Sequence, residues 1–355
     1  MRHSAVPLPS VGSLWQACRQ HSLFWPCVAL LGLVVLNGGF NPGFFSLSWR
    51  DGHLYGPIVD VFNRAAPLMA VALGMTVVIA TRGIDISVGA IVAIAAAVAA
   101  TLVGGSLVIQ DGQQVYVTRT SLPLALLLAL AAAALCGLWN GLLVGVGGIQ
   151  PIIATLILMV AGRGIAQLLT NGQIITIYYA PYFFIGNGYL LGLPFTLYLV
   201  AALALLMGWL KHRTALGLFI QASGANPVAA RLAGINAPLL IVAVYTFCGF
   251  TAGLAGLMIS ANVKSADGNN AGQLLELDAI LAVTLGGTAL AGGRFSLRGS
   301  LIGALIIQTL TYAIYSTGVP PEVNLVVKAL VVLVVSLLQS PLLLARWQSR
   351  GASAA

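Results

Sequence analysis

The sequence predicts an all-α fold, a polytopic membrane bundle of about ten transmembrane helices, and three observations carry that prediction. Hydrophobic residues make up 59% of the 355-residue chain, whereas charged residues make up 7%. The apolar residues fall in long blocks, and about 20 in succession are enough to cross the hydrocarbon core of a bilayer. Short glycine- and proline-rich breaks separate the blocks, and no polar stretch is long enough to fold as a soluble domain, although length alone suggests about two. The chain therefore works from within a membrane. That limits it mainly to transport, lipid-phase chemistry or signalling.

Taken in order, hydropathy and length place spans near 22–40, 65–81, 88–104, 121–146, 151–170, 194–210, 239–262, 277–291, 299–316 and 323–344. About twenty residues precede the first block and no small-residue cleavage site follows it, so it reads as a retained anchor and not as a signal peptide. The expected layout is an N-terminal tail at 1–21, a membrane domain at 22–345 and a C-terminal tail at 346–355. Cys18, Cys27, Cys136 and Cys248 have no CxxC spacing and the four histidines are scattered, so neither a disulfide framework nor a metal site is indicated.

The net charge of +8 comes from single Lys and Arg residues at segment ends, not from a stripe, so no nucleic-acid partner is expected. Cytoplasmic flanks carry the Lys and Arg excess. With the N-terminus inside, Arg2, Arg19, Arg82, Lys211, Arg213, Arg231, Arg294, Arg298, Arg346 and Arg350 fall on the inner side. Arg50, Arg64, Arg119, Lys264 and Lys328 fall outside. Both termini are then cytoplasmic.

The longest inner loop, 211–238, reads KHRTALGLFIQASGANPVAARLAGINAP. Its centre, 224–234, is predicted to form a short helix. Asn226 caps it and Pro227 suits the first turn. Ala229, Ala230 and Ala233 favour helix, and Gly234 ends it. Two readings stand for it: a short helix that docks into a groove on another protein, or an ordinary solvated loop helix.

The pattern Gly224-x-Asn226-x-x-Ala229-Ala230-Arg231-x-x-Gly234-Ile235 resembles the coupling loop of permease subunits in bacterial ABC importers of the ribose, xylose and galactose class. Three further stretches are similar to that family: NRAAPLMAVALGMTVVIATRGIDISVGA from Asn63, GLWNGLLVGVGGIQPIIATLILMVAGRGIA from Gly137 and ELDAILAVTLGGTALAGGRF from Glu276. Together they cover most of the chain between about Asn63 and Gln308. DGNNAGQLLELDAILAV from Asp267 and GGRF at Gly292–Phe295 look most like galactofuranose importer permeases. Ribose-type members more often continue the double glycine with another glycine-containing turn, and this departure weakens any transfer of ribose specificity.

The resemblance implies an inner-membrane permease that pairs with a second permease subunit, identical or related, around a sugar path. It also implies a separate ABC ATPase below and a periplasmic sugar-binding protein above, with membrane lipid around. The ATPase-coupling residues would be Gly224, Asn226, Ala229, Ala230, Arg231 and Gly234. No GxxxxGK[ST] phosphate loop occurs, and none of the three lysines follows a glycine. The chain is expected to bind no cofactor, ATP being used by the partner subunit.

Ionisable groups at membrane depth are costly and usually face a cavity or partner. Asp85 and Ser87 stand in GIDISVG, where an interrupted helix exposes backbone groups, and Arg82 is near enough in sequence to pair with Asp85. Such a break serves either packing or sugar contact. Arg163 and Gln167 share one helical face, with Glu276 or Asp278 as the expected acceptor for a gating or structural salt bridge. Asn140 and Gln150 suit sugar hydroxyls, or interhelical hydrogen bonds. Outside, KSADGNNAG offers Asp267, Asn269 and Asn270 for binding-protein docking, and 171–193 with Tyr178, Tyr179 and Tyr182 forms a second exposed segment.

Two other classes compete. A proton- or ion-coupled secondary transporter would use Asp85 as its titrating group. An intramembrane enzyme would want paired carboxylates or a nucleophile with its base. No histidine lies inside an expected span, and no catalytic residue is assigned.

Overall fold

The computed structural model describes residues 23–333, apart from 51, 105, 111, 317, 319, 321, 322, 324, 331 and 332. The expected tails at 1–21 and 346–355, and much of the expected span at 323–344, lie outside the described residues. In chain order the helices are α1 (Phe24–Phe40), α2 (Pro57–Ala80), α3 (Val88–Val103), α4 (Leu122–Gly141, continued by a π-helical turn Leu142–Val146), α5 (Pro151–Leu169) and α6 (Ala180–Asn187). They continue with α7 (Phe195–Arg213), α8 (Ala215–Ala225), α9 (Pro227–Leu232), α10 (Ala237–Val263), α11 (Leu275–Leu285) and α12 (Leu297–Ser316).

Six of these are long and apolar enough to cross a membrane: α2, α4 with its extension, α5, α7, α10 and α12. The chain is thus a helical membrane protein, but among the described residues the expected ten spans are not reached. The first and third expected spans are helices of 17 and 16 residues. The eighth, expected at 277–291, is the 11-residue α11, which Gly286 and Gly287 bring to a stop. The segment before it folds back against α3, where a Cβ on Gly272 would lie 2.8 Å from the Gly89 carbonyl oxygen. Non-helical backbone of this kind is tolerated in a membrane protein only where protein or a watered cavity covers it.

The 27-residue α10 runs through the middle of the bundle against α2, α3 and α4. Small residues permit the close approach: a Cβ on Gly249 would lie 2.8 Å from Gly137 Cα, and one on Gly253 would meet the Ala133 side chain. Since lipid is as apolar as the side chains, such backbone-level packing holds membrane helices together. Around this contact Leu73, Met75, Ile79, Ile91, Tyr245 and Met258 are fully buried.

Among the described residues, eight short strands form four two-stranded antiparallel sheets. β1 (Ser48–Arg50) pairs β2 (His53–Tyr55) with Trp49 opposite Leu54, and β3 (Ser106–Gln110) pairs β4 (Gln113–Val117). β5 (Ile175–Thr176) pairs β8 (Ser265–Ala266), and β6 (Tyr189–Leu190) pairs β7 (Leu193–Pro194). All lie in alternate connections of the bundle, and His53 stacks on Tyr189 at 4.5 Å while Leu54 N–H donates to the Gly192 carbonyl at 2.9 Å. The two ends of the bundle therefore differ: one is capped by linked hairpins, the other by helical turns and glycine-rich breaks.

Candidate functional site: a surface helix tied to a helix break

The expected loop helix exists but is shorter, Pro227–Leu232 lying inside the expected 224–234. Asn226 separates α8 from α9, and its Oδ1 accepts from the N–H groups of Val228 and Ala229, both at 3.1 Å. Pro227 opens the helix, where a missing N–H costs nothing. Gly234, at φ +83°, closes the segment with its N–H donating to the Arg231 carbonyl at 3.0 Å. Ala230 is buried, whereas Ala229, Arg231 and Gly234 are exposed. Val228 and Leu232, four residues apart and so on one face, are 71% and 85% exposed.

Gly224 does not belong to that helix. It sits buried in the last turn of α8, where a Cβ would meet the Ala80 carbonyl oxygen and lie 2.5 Å from the Gly293 nitrogen. Gly293 N–H itself donates to the Ala80 carbonyl at 2.9 Å. The ends of α2 and α8 and the loop before α12 thus meet at one point.

Arg82 occupies this junction, and its expected pairing with Asp85 is overturned. At φ +66° the backbone turns the side chain toward α8. There Nε donates to the Gly224 carbonyl at 2.6 Å and an Nη to the Ala225 carbonyl at 2.7 Å. A cation on the last carbonyls of a helix is favoured by the unsatisfied acceptors and by the helix dipole.

Asp85, three residues on, is fully buried in the break between α2 and α3. Its Oδ1 accepts from Ser87 N–H at 3.0 Å, Ser87 Oγ at 2.6 Å and, at a longer 3.4 Å, Asn140 Nδ2. Asn140 Nδ2 also donates to Ser87 Oγ at 2.8 Å. The structure therefore brings Asp85, Ser87 and Asn140 into one knot that fixes the start of α3 against α4. The Ile84 carbonyl accepts from Tyr245 Oη on α10 and Thr155 Oγ1 on α5, each at 3.4 Å. Asp85 Oδ2 and Asn140 Oδ1 accept no hydrogen bond from described residues. Gln150 stands apart, exposed at the start of α5.

The other candidate residues form a second group. The salt bridge expected for Arg163 is absent: its Nη1 donates to the Ala271 carbonyl at 2.6 Å and to the Gly268 carbonyl at 3.4 Å. Asp278 instead pairs with Lys328 at 2.9 Å. Gln167 Nε2 donates to Asn269 Oδ1 at 2.6 Å, so two candidate gate residues hold the loop that carries Asp267, Asn269 and Asn270. Asp267 Oδ1 accepts from Asn269 N–H at 2.8 Å and Asn270 N–H at 3.2 Å, and Oδ2 accepts from Asn270 Nδ2 at 2.7 Å. Partial burial works against its ionisation, but these donors and nearby Arg163 outweigh it and hold the carboxyl below its ordinary range.

Sequence reasoning missed a polar cavity of about 230 Å³ lined by Asn63, Arg64, Thr196, Asn262 and Gln308. Thr196 Oγ1 donates to Asn63 Oδ1 at 2.5 Å inside it. These residues come from four helices, α2, α7, α10 and α12, so no linear motif announces them.

Residues 57–336 match the family described as "Branched-chain amino acid transport system / permease component". The chain is 48% identical over 322 residues to the galactofuranose transporter permease protein YtfT of Escherichia coli K12, covering 89% of this chain and 90% of that protein. It is 38% identical to the fructose import permease protein FruF of Bifidobacterium longum, over 90% of this chain and 88% of that one. Identity to the ribose import permease protein RbsC of Escherichia coli K12 is 35%, over 88% and 92%. No solved structure matches. The resemblance read from the motifs is borne out, and the chain belongs to this family of membrane permease components.

Proposed function

We propose that this chain is the permease subunit of an ATP-driven importer that carries a monosaccharide across the bacterial inner membrane, galactofuranose being the first candidate and ribose-like sugars the next. The observation that carries the reading is α9: a capped, six-residue surface helix with an apolar ridge at Val228 and Leu232, in a chain whose relatives are sugar permeases. That ridge suits the groove of a separate ABC ATPase, which supplies the phosphate chemistry this sequence lacks. Both termini are then cytoplasmic, and the hairpin-capped end faces a periplasmic binding protein. A second permease subunit, identical or related, completes the sugar path.

ATP-driven movement of the ATPase pushes α9, and the bundle switches between outward-open and inward-open packing. The test is uptake of labelled galactofuranose, ribose and fructose into proteoliposomes holding the chain, its ATPase and its binding protein. Uptake of one sugar that requires both ATP and the ATPase supports the reading. Uptake that persists without the ATPase and follows a proton or sodium gradient would replace it with a secondary transporter using Asp85.

A further inference from the structure

We propose that Arg82 is the positioning residue that carries movement of the surface helix α9 into the break between α2 and α3. The inference rests on the importer reading and adds the route by which force enters the membrane domain.

The geometry gives a continuous chain of short contacts. Asn226 fixes the start of α9 through its side chain, and the two residues before it, Gly224 and Ala225, present their carbonyls to the Arg82 guanidinium at 2.6 and 2.7 Å. A planar fork holds two acceptors at once with its direction fixed, which a single ammonium does not do. Arg82 is bonded covalently to Gly83, where a Cβ would lie 2.5 Å from Tyr245 Oη, so the chain there has no slack toward α10. Two residues further on, Asp85 holds Ser87 and Asn140 and thereby the start of α3 and the flank of α4.

A second observation is independent of these bonds. Arg82 stands at φ +66° just past the end of α2, where its N–H donates to the Ile79 carbonyl at 2.9 Å and Gly83 N–H donates to the Val78 carbonyl at 3.0 Å, so the turn that aims its side chain is itself held by the helix end. Beside it Gly292, at φ +83°, and Gly293, at φ +93°, let the loop before α12 close over the same point. A Cβ on Gly292 would lie 2.5 Å from Arg82 Cγ. Movement of α8 and α9 therefore cannot leave Arg82 in place without breaking both of its bonds.

The test uses the complete transporter in proteoliposomes, measuring sugar taken up per ATP hydrolysed for wild type, Arg82→Ala, Arg82→Gln and Arg82→Lys. The expected result is that complexes assemble and ATP hydrolysis stays within about twofold of wild type. Sugar moved per ATP then falls about tenfold in Arg82→Ala and Arg82→Gln, and by less in Arg82→Lys, as expected when a coupling between sites is cut. Equal sugar per ATP in all three variants overturns the proposal while leaving the importer reading intact. Should Arg82→Ala fail to assemble, the Gln and Lys variants, which keep a longer side chain, decide the question in the same terms. Failure of all three to assemble makes Arg82 a folding residue and overturns the proposal as well. Absence of ATP-driven uptake by the wild type would instead remove the importer reading itself.

Discussion

Asp85 gathers three donors on one carboxylate oxygen inside a fully buried break, so its removal strands the N–H and the hydroxyl of Ser87, while the Asn140 amide keeps its bond to Ser87 Oγ. An orphaned buried donor costs about 1–3 kcal/mol. Asp85→Ala is therefore expected to lower the thermal midpoint of the purified protein in lipid nanodiscs, and Asp85→Asn, which keeps an acceptor oxygen, to lower it less. Equal midpoints for the two variants would contradict the knot. Asp267 gives a pH signature at the other end of the bundle. Its folded value lies below the unfolded carboxylate value of about 3.9, so its contribution is present above that value and is lost as pH falls through the depressed one. Hydrogen exchange at Asn269 and Asn270, corrected for intrinsic rates, is expected to accelerate as pH falls below the unfolded value of about 3.9, and Asp267→Asn to remove the dependence. The sequence made both carboxylates visible as candidates but not their partners. Arg82 lies three residues from Asp85, a pairing that presumes helical geometry, and the left-handed backbone at Arg82 defeats it. Arg163 likewise takes main-chain carbonyls, acceptors that no side-chain inventory reveals.

Among the elements, α9 is the one whose local chemistry was legible. Asn226, Pro227 and Gly234 punctuate it as cap, first turn and stop. Asn226→Ala is expected to cost about 1 kcal/mol of local helix stability, seen as faster hydrogen exchange across 228–233 with the rest of the bundle unchanged. Gly224→Ala is the complementary case. Its Cβ meets the Ala80 carbonyl, and overpacking at such a site costs about 1–3 kcal/mol, so the variant is expected to loosen the α2–α8 junction and reduce ATP-driven uptake. The six long spans announce themselves by hydropathy, whereas α11 does not announce its shortness. A window over 277–291 averages Gly286, Gly287 and Thr288 with their apolar neighbours and reads a full crossing where the chain turns after Leu285. The four strand pairs are equally hidden, because strands of two to five residues are too short for a period-2 signal and β5 and β8 are far apart in sequence.

Across the whole molecule, function follows from a difference between its ends. Linked hairpins and the Asp267 turn cap one face, while glycine-rich breaks and a single projecting helix form the other. The break between α2 and α3 and the loop between α11 and α12 meet where Gly293 N–H donates to the Ala80 carbonyl and Gly292 packs on Arg82. Spacing alone could not show that they touch, since more than two hundred residues separate them. The residues proposed for the sugar path are less legible than those proposed for coupling. The former divide between the Asp85 knot and the Arg163 loop, and the polar cavity at Asn63, Thr196 and Gln308 is assembled from distant helices. If α9 receives its push from a partner ATPase, the contact runs through Val228 and Leu232, which are exposed enough to be changed without disturbing the bundle. The most direct test is ATP-dependent sugar uptake by reconstituted transporter carrying Val228→Asp and Leu232→Asp together. Uptake and ATPase co-purification are both expected to be lost while the thermal midpoint of the permease is unchanged; full ATP-driven uptake by the double variant would show that α9 is not the contact.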